Sequence, residues 1–171
     1  MATSGRHGRL SLLTGEIGSG KTTWCLNLVD RALDADEPIA GVVCPGVFAD
    51  GQKVAIDVVT LGDGIRQRLA WRASGDSREA GGLGWHFDLT VMEQVDRHLD
   101  ALHDKRSILI DEVGPLELLR AQGWQGALRL VDVGRYERAI VVVRPALVGI
   151  ALERWPWAEV VTVAQAEASL S

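Results

Sequence analysis

The stretch Gly15-Glu16-Ile17-Gly18-Ser19-Gly20-Lys21-Thr22 satisfies the pattern G-x-x-x-x-G-K-[ST] at every fixed position. With this chain's own residue frequencies, chance produces such a match about three times in a thousand chains of this size. The residue types suit an anion. Glycines let successive backbone N–H groups turn inward around a phosphate, and the helix that follows adds the partial positive charge of its N-terminus. In that setting Lys21 reaches the β- and γ-phosphates of a nucleotide, and the Thr22 hydroxyl becomes a ligand for Mg2+. Of the 18 basic residues only three are lysines (Lys21, Lys53 and Lys105), so a motif that uses one stands out.

A second piece is Ile108-Leu109-Ile110-Asp111-Glu112, an apolar run closed by two acids. A carboxylate at the C-terminal end of a buried strand can supply a further Mg2+ contact, usually through a coordinated water, and Asp111 fits that part. Glu112 is placed to orient or deprotonate an attacking water. The third piece is Arg144, which follows the run Ala139 to Val143. If that strand lies between the loop strand and the acidic strand, Arg144 can stabilise charge that develops on a transferring phosphoryl group. Each piece has a plainer alternative: a ligand-free glycine turn, an ordinary strand end, and a surface arginine before proline.

These residues must be held by elements, and two periodicities alternate along the chain. Leu10 to Leu13 reads as a buried strand, and Cys25, Leu28, Val29 and Ala32 mark one face of a helix that starts at Lys21. Ile39 to Val43 is a second strand. Asp50-Gly51, between Val47-Phe48-Ala49 and Val54 to Leu61, is a hairpin signal of the type I′ kind. Residues Gly62 to Asp88 hold six glycines mixed with charge and read as a flap or a plain surface loop. Thr90 and Glu93 have capping-box spacing ahead of a helix that carries Val91, Met92, Val95, Leu99 and Leu102. Ser107 to Ile110 is a buried strand. Leu116 to Val133 is helical with breaks expected at Gly123 and Gly126, Ala139 to Val143 is a strand, Ala146 to Arg154 a helix, and Val160 to Val163 a last strand. Such alternation predicts an α/β fold, a mostly parallel sheet covered by helices with a β-hairpin insertion.

Composition narrows the classes. The chain has 171 residues, 47% of them hydrophobic and 24% charged, which is a globular composition with room for one core. No apolar run approaches the roughly 18 residues of a membrane span. The polar start is not expected to be a secretory signal, and two cysteines suit a reducing cytosol, so a cytoplasmic location is expected. A formal net charge of −5 argues against a general nucleic-acid surface, and nothing singles out a protein partner. Cys25 lies on the apolar helix face and reads as core, while the early helical residue Trp24 is a weak candidate for contact with a nucleotide.

The combination of Gly15 to Thr23, Asp111-Glu112-Val113-Gly114-Pro115-Leu116-Glu117 and Gly51-Gln52-Lys53-Val54-Ala55-Ile56-Asp57-Val58 resembles the cancer-related nucleoside-triphosphatase family. That resemblance covers nearly the whole chain and implies a single P-loop domain over residues 1–171, a three-layer sandwich. It implies Mg2+-dependent hydrolysis of nucleoside triphosphates (ATP, GTP and others) to diphosphate and phosphate. Residues 15–23, Thr23 included, would bind the nucleotide, with Lys21 and Thr22 on phosphate and metal, Asp111 on the metal and Glu112 on the water. The chain departs from the family at Gly46-Val47-Phe48, where glutamate and arginine are usual. It departs again at Gly82-Leu83-Gly84-Trp85-His86-Phe87, which lacks a lysine, and at Arg144, where histidine is common. Asp111-Glu112-Val113-Gly114 also fits D-x-x-G, but Val143-Arg144-Pro145-Ala146 replaces the guanine-reading motif that a G-protein-like switch needs. Two alternatives stay open: a nucleotide or nucleoside kinase whose acceptor site uses Arg66, Arg68, Arg72 and Arg78, and a nucleotide-gated binding protein with little turnover.

Overall fold

A computed structural model describes residues 7–73 and 84–169. Its nine strands form one sheet. In chain order the elements are β1 (Arg9–Thr14), α1 (Lys21–Asp34), β2 (Ala40–Val43), β3 (Gly46–Ala49), β4 (Gln52–Leu61), β5 (Arg66–Arg72) and β6 (Trp85–Phe87). Then follow α2 (Leu89–Asp100), β7 (Ser107–Val113), α3 (Pro115–Arg120), α4 (Gln125–Val133), β8 (Arg138–Val143), α5 (Val148–Arg154), β9 (Glu159–Thr162) and α6 (Val163–Ala168), with a 3-10 turn over Pro145–Leu147. Across the sheet the order is β6-β5-β4-β2-β7-β8-β1-β9, with β3 paired to β4.

The five strands from β2 to β9 along that order are parallel, and β3, β4, β5 and β6 extend them in antiparallel fashion. Alternating side chains of each parallel strand sort the core into two layers. Leu10, Leu12, Ile108, Ile110, Val141 and Val143 pack on one face against Val95 and Leu99 of α2 and Leu128 of α4. Leu13, Leu109 and Val142 pack on the other face against Trp24 and Cys25 of α1 and Ala166 of α6. Near-continuous apolar runs are the signature of strands buried on both faces. The result is the expected three-layer α/β sandwich.

The hairpin forms where the sequence places it, with Asp50 and Gly51 both in the left-handed region at φ 50° and 74°. Residues 66–72 and 85–87 differ from the expected flap or loop. They are β5 and β6, and the Ala73 N–H donates to the Gly84 carbonyl at 3.2 Å, while residues 74–83, Arg78 among them, lie outside the described part. The alternation in β5 is masked because the strand bulges at Leu69, opposite Ile56/Asp57 of its partner, and Leu69 and Ala70 are buried in succession. The cap of α2 is also different: Asp88, not Thr90, accepts from the Val91 N–H at 3.0 Å. The long helical pattern does break around Gly123, but Gly126 lies inside α4, where a Cβ would stand 2.6 Å from the Asp96 carbonyl of α2. It is a point of close helix approach and not a breaker.

Candidate active site

The connection of residues 15–20 carries the chain from the C-terminal end of β1 into α1. Gly18 and Gly20 hold φ of 78° and 89°, conformations that cost an L side chain about 1 kcal/mol or more. No side chain caps α1, so its first N–H groups are left without a side-chain acceptor next to the loop. Ile17 stands at the crest, 90% exposed. The Lys21 ammonium folds over the loop and donates to the carbonyls of Gly15 at 2.6 Å and Glu16 at 2.8 Å. Two of its three N–H bonds are thereby used, and the third remains for an anion.

The loop meets the acidic strand through one hydrogen bond. The Thr22 hydroxyl donates to Asp111 Oδ2 at 2.9 Å across 89 positions of sequence, and the Cys44 N–H donates to the same oxygen at 3.3 Å. Asp111 is 3% exposed. Burial pushes its carboxyl up to about 6, with the Glu112 charge adding to the rise, while the bonds from Thr22 and Cys44 and the Lys53 charge pull the other way. Among the described residues, the donors to this buried carboxylate are a hydroxyl and an N–H, which leave it short of positive charge. Among the described residues no group of three or more His, Cys, Asp and Glu forms a metal cage. Mg2+ does not need one, since one carboxylate, a hydroxyl, phosphate oxygens and water satisfy its octahedral preference. Thr22 and Asp111 fit that donor set.

β8 lies between β1 and β7, as the reading of Arg144 required. Arg144 leaves the end of β8 and donates to Glu112 Oε1 from Nε at 3.1 Å and from Nη2 at 2.9 Å. It therefore adjoins the second acid, and the pair is partly solvated, with the two side chains 41% and 31% exposed. Asp111 and Glu112 fall where the β7–β8 register shifts, between Ile110 and Val113.

Two supports escaped the reading of the residues alone. Glu117, 8% exposed, accepts from the Gly114 N–H at 2.9 Å and the Trp124 N–H at 3.0 Å, so it clamps the exit of β7 to the start of α4. Burial raises its carboxyl against those two donors. The signal was Pro115 opening a helix with a glutamate at its third position. The Cys44 N–H gave no sequence signal, because backbone donors carry no residue type. Trp24 proves to be 8% exposed in the core, away from any open surface. Cys25 is fully buried there, and burial pushes its thiol far up, as suits a core residue. Arg66 and Arg68 donate to the Asp57 carboxylate at 2.8 and 2.5 Å, which commits two of the four arginines a kinase acceptor site would use.

Comparison with known proteins now decides the lineage: a family model described as NTPase matches residues 11–149. The chain belongs to this NTPase family. It is 31% identical over 107 residues to the nucleoside-triphosphatase THEP1 of Sulfurisphaera tokodaii, covering 62% of this chain and 61% of that protein. To the protein of the same name from Methanopyrus kandleri it is 31% identical over 109 residues, covering 63% of this chain and 58% of that one. The match therefore spans about three fifths of these relatives' length. The NTPase fold is also that of a human cancer-related nucleoside triphosphatase solved in solution, with a TM-score of 0.63 at 23% identity over 91% of this chain and 89% of that one.

Proposed function

We propose that the protein hydrolyses nucleoside triphosphates, ATP and GTP among them, to the diphosphate and inorganic phosphate with Mg2+. The observation that carries this reading is the Thr22–Asp111 hydrogen bond, which brings the two oxygen donors of a magnesium site together beside a second acid. Membership of the NTPase family and the name nucleoside-triphosphatase borne by its relatives support it. Held by Thr22 and Asp111, a bound magnesium ion would offset the negative charge of the phosphates.

The chain's own groups supply the rest. Loop N–H groups and Lys21 hold the β- and γ-phosphates, Thr22 and Asp111 hold the ion, and Glu112 accepts a proton from water aimed at the γ-phosphorus. The water oxygen bonds to phosphorus as the bridging P–O bond breaks, and the diphosphate departs with the electron pair. Arg144 fixes the Glu112 carboxylate and stands near enough to share the developing charge.

Triphosphate labelled at the γ position separates the alternatives. Release of free labelled phosphate with water as the only acceptor is expected. Label transferred to an added nucleoside or nucleotide would make the protein a kinase, and tight binding without release would make it a nucleotide-gated binder.

A further inference from the structure

Among the described residues three cations border this end of the sheet, and two of them are committed. Lys21 is bound to its loop and Arg144 to Glu112. The third is Lys53, on β4. After Cys44 and Pro45, β3 resumes the antiparallel pairing of β2 with β4 in the same register, from Val43↔Val59 to Gly46↔Ile56. β7 pairs with the other side of β2, through Val42↔Ile110, so the chain from Cys44 onward runs beside Asp111 and Glu112.

Lys53 sits opposite Phe48, next to a bulge at Val54 of its own strand, and its stem turns back over Gly46. A Cβ on Gly46 would stand 2.9 Å from Lys53 Cε, so the lysine crosses where that residue has no side chain. Gly46 lies two residues past Cys44, whose N–H donates to Asp111 Oδ2 at 3.3 Å, so the crossing carries the Lys53 stem past the strand ends that bear the acids. Among the described residues no carboxylate pairs with the ammonium. It rests over the Trp85 ring, 5.7 Å from the centroid, a contact that steadies a cation without neutralising it.

We infer that Lys53 is a further catalytic residue, a cation delivered by the antiparallel insertion to the terminal phosphate of the substrate. The inference rests on the hydrolase reading. As the water oxygen bonds to the γ-phosphorus and the bond to the bridging oxygen breaks, charge spreads over the equatorial oxygens, and the Lys53 ammonium keeps its three protons and donates hydrogen bonds to them. Gly46 and Trp85 then have a shared purpose: one leaves a path for the lysine stem and the other holds its head.

The test compares wild type with Lys53→Ala, Lys53→Met and Lys53→Arg. It measures γ-phosphate release at saturating Mg-ATP, and the affinities for Mg-ATP and for Mg-ADP with aluminium fluoride by calorimetry. Removing the ammonium is expected to lower kcat about 100-fold, in line with loss of one transition-state donor, with Mg-ATP affinity within threefold. It is also expected to abolish the tighter grip on the aluminium fluoride complex, and arginine is expected to restore part of the rate. Lys53→Met keeps the stem over Gly46 and decides the matter if the alanine variant misfolds. A kcat within threefold of wild type overturns the inference, and so does a loss of Mg-ATP affinity as large as the loss of kcat. Wild-type protein that releases no phosphate overturns the hydrolase reading and this inference with it, whereas wild-type turnover that Lys53→Met leaves intact overturns the inference alone.

Discussion

Asp111 and Glu112 are neighbours in sequence and differ in surroundings. The first is buried with an N–H and a hydroxyl on one oxygen, and the second is half-solvated with an arginine on one oxygen. Such a difference separates a metal contact from a base, since only the more exposed carboxylate can meet a mobile water. Replacing Glu112 by Gln is expected to slow phosphate release at least tenfold while Mg-nucleotide affinity, read by calorimetry, stays within a few-fold. An equal loss of both would make Glu112 a metal ligand or a structural group. At this scale the sequence was informative wherever chemistry follows from residue type, as for Lys21, Thr22 and the two acids. It was silent where the partner is a backbone N–H, as at Cys44, and where the decisive feature is a direction, as for the Arg144 guanidinium turning onto Glu112.

The elements around the site are tied by buried polar contacts that periodicity does not record. Glu117 satisfies two buried N–H groups at the junction of β7, α3 and α4. Glu117→Ala would leave both donors unpaired, at about 1–3 kcal/mol each, so a loss of about 2–6 kcal/mol is expected in urea unfolding. The parallel strands were legible because burial on both faces writes an unbroken apolar run. β5 was not, because its bulge at Leu69, opposite Ile56/Asp57, breaks the alternation that would have announced it. Gly126 was misread as a breaker for a related reason: a glycine that admits a neighbouring helix and one that ends its own look alike in a single sequence.

For the molecule as a whole, two measurements follow from its charge and its substrate. Burial raises the Asp57 carboxyl, but the hydrogen bonds from Arg68 and Arg66 outweigh it, and the net shift is downward from the ordinary 3.8. A lowered carboxyl stabilises the fold above its ordinary value, and that contribution fades as pH falls below it. Asp57→Asn is therefore expected to cost about 1 kcal/mol near pH 7, a figure reduced for the exposure of both arginines, and to approach wild type as the pH falls well below the ordinary 3.8. Thermal scans across that range check it. A Mg-nucleoside triphosphate at about a hundred times its Kd should add about 2.7 kcal/mol, which for a chain of this length raises Tm by about 5–10 °C. Chelating the metal should reverse most of that rise. The alternation of strands and helices was legible, but of the strand order only the place of β8 between β1 and β7 was raised, as the condition on Arg144.

The insertion of β8 between β1 and β7 has an outcome for biosynthesis. Every atom assigned to gripping phosphate and ion lies within residues 15–112, yet the two strands that present them are not neighbours and share a middle strand that starts at Arg138. A nascent chain therefore carries a full set of ligands long before it can hold them at working separation. Competence to grip a nucleotide should arrive abruptly, when Val143 clears the ribosome, instead of growing with each residue made.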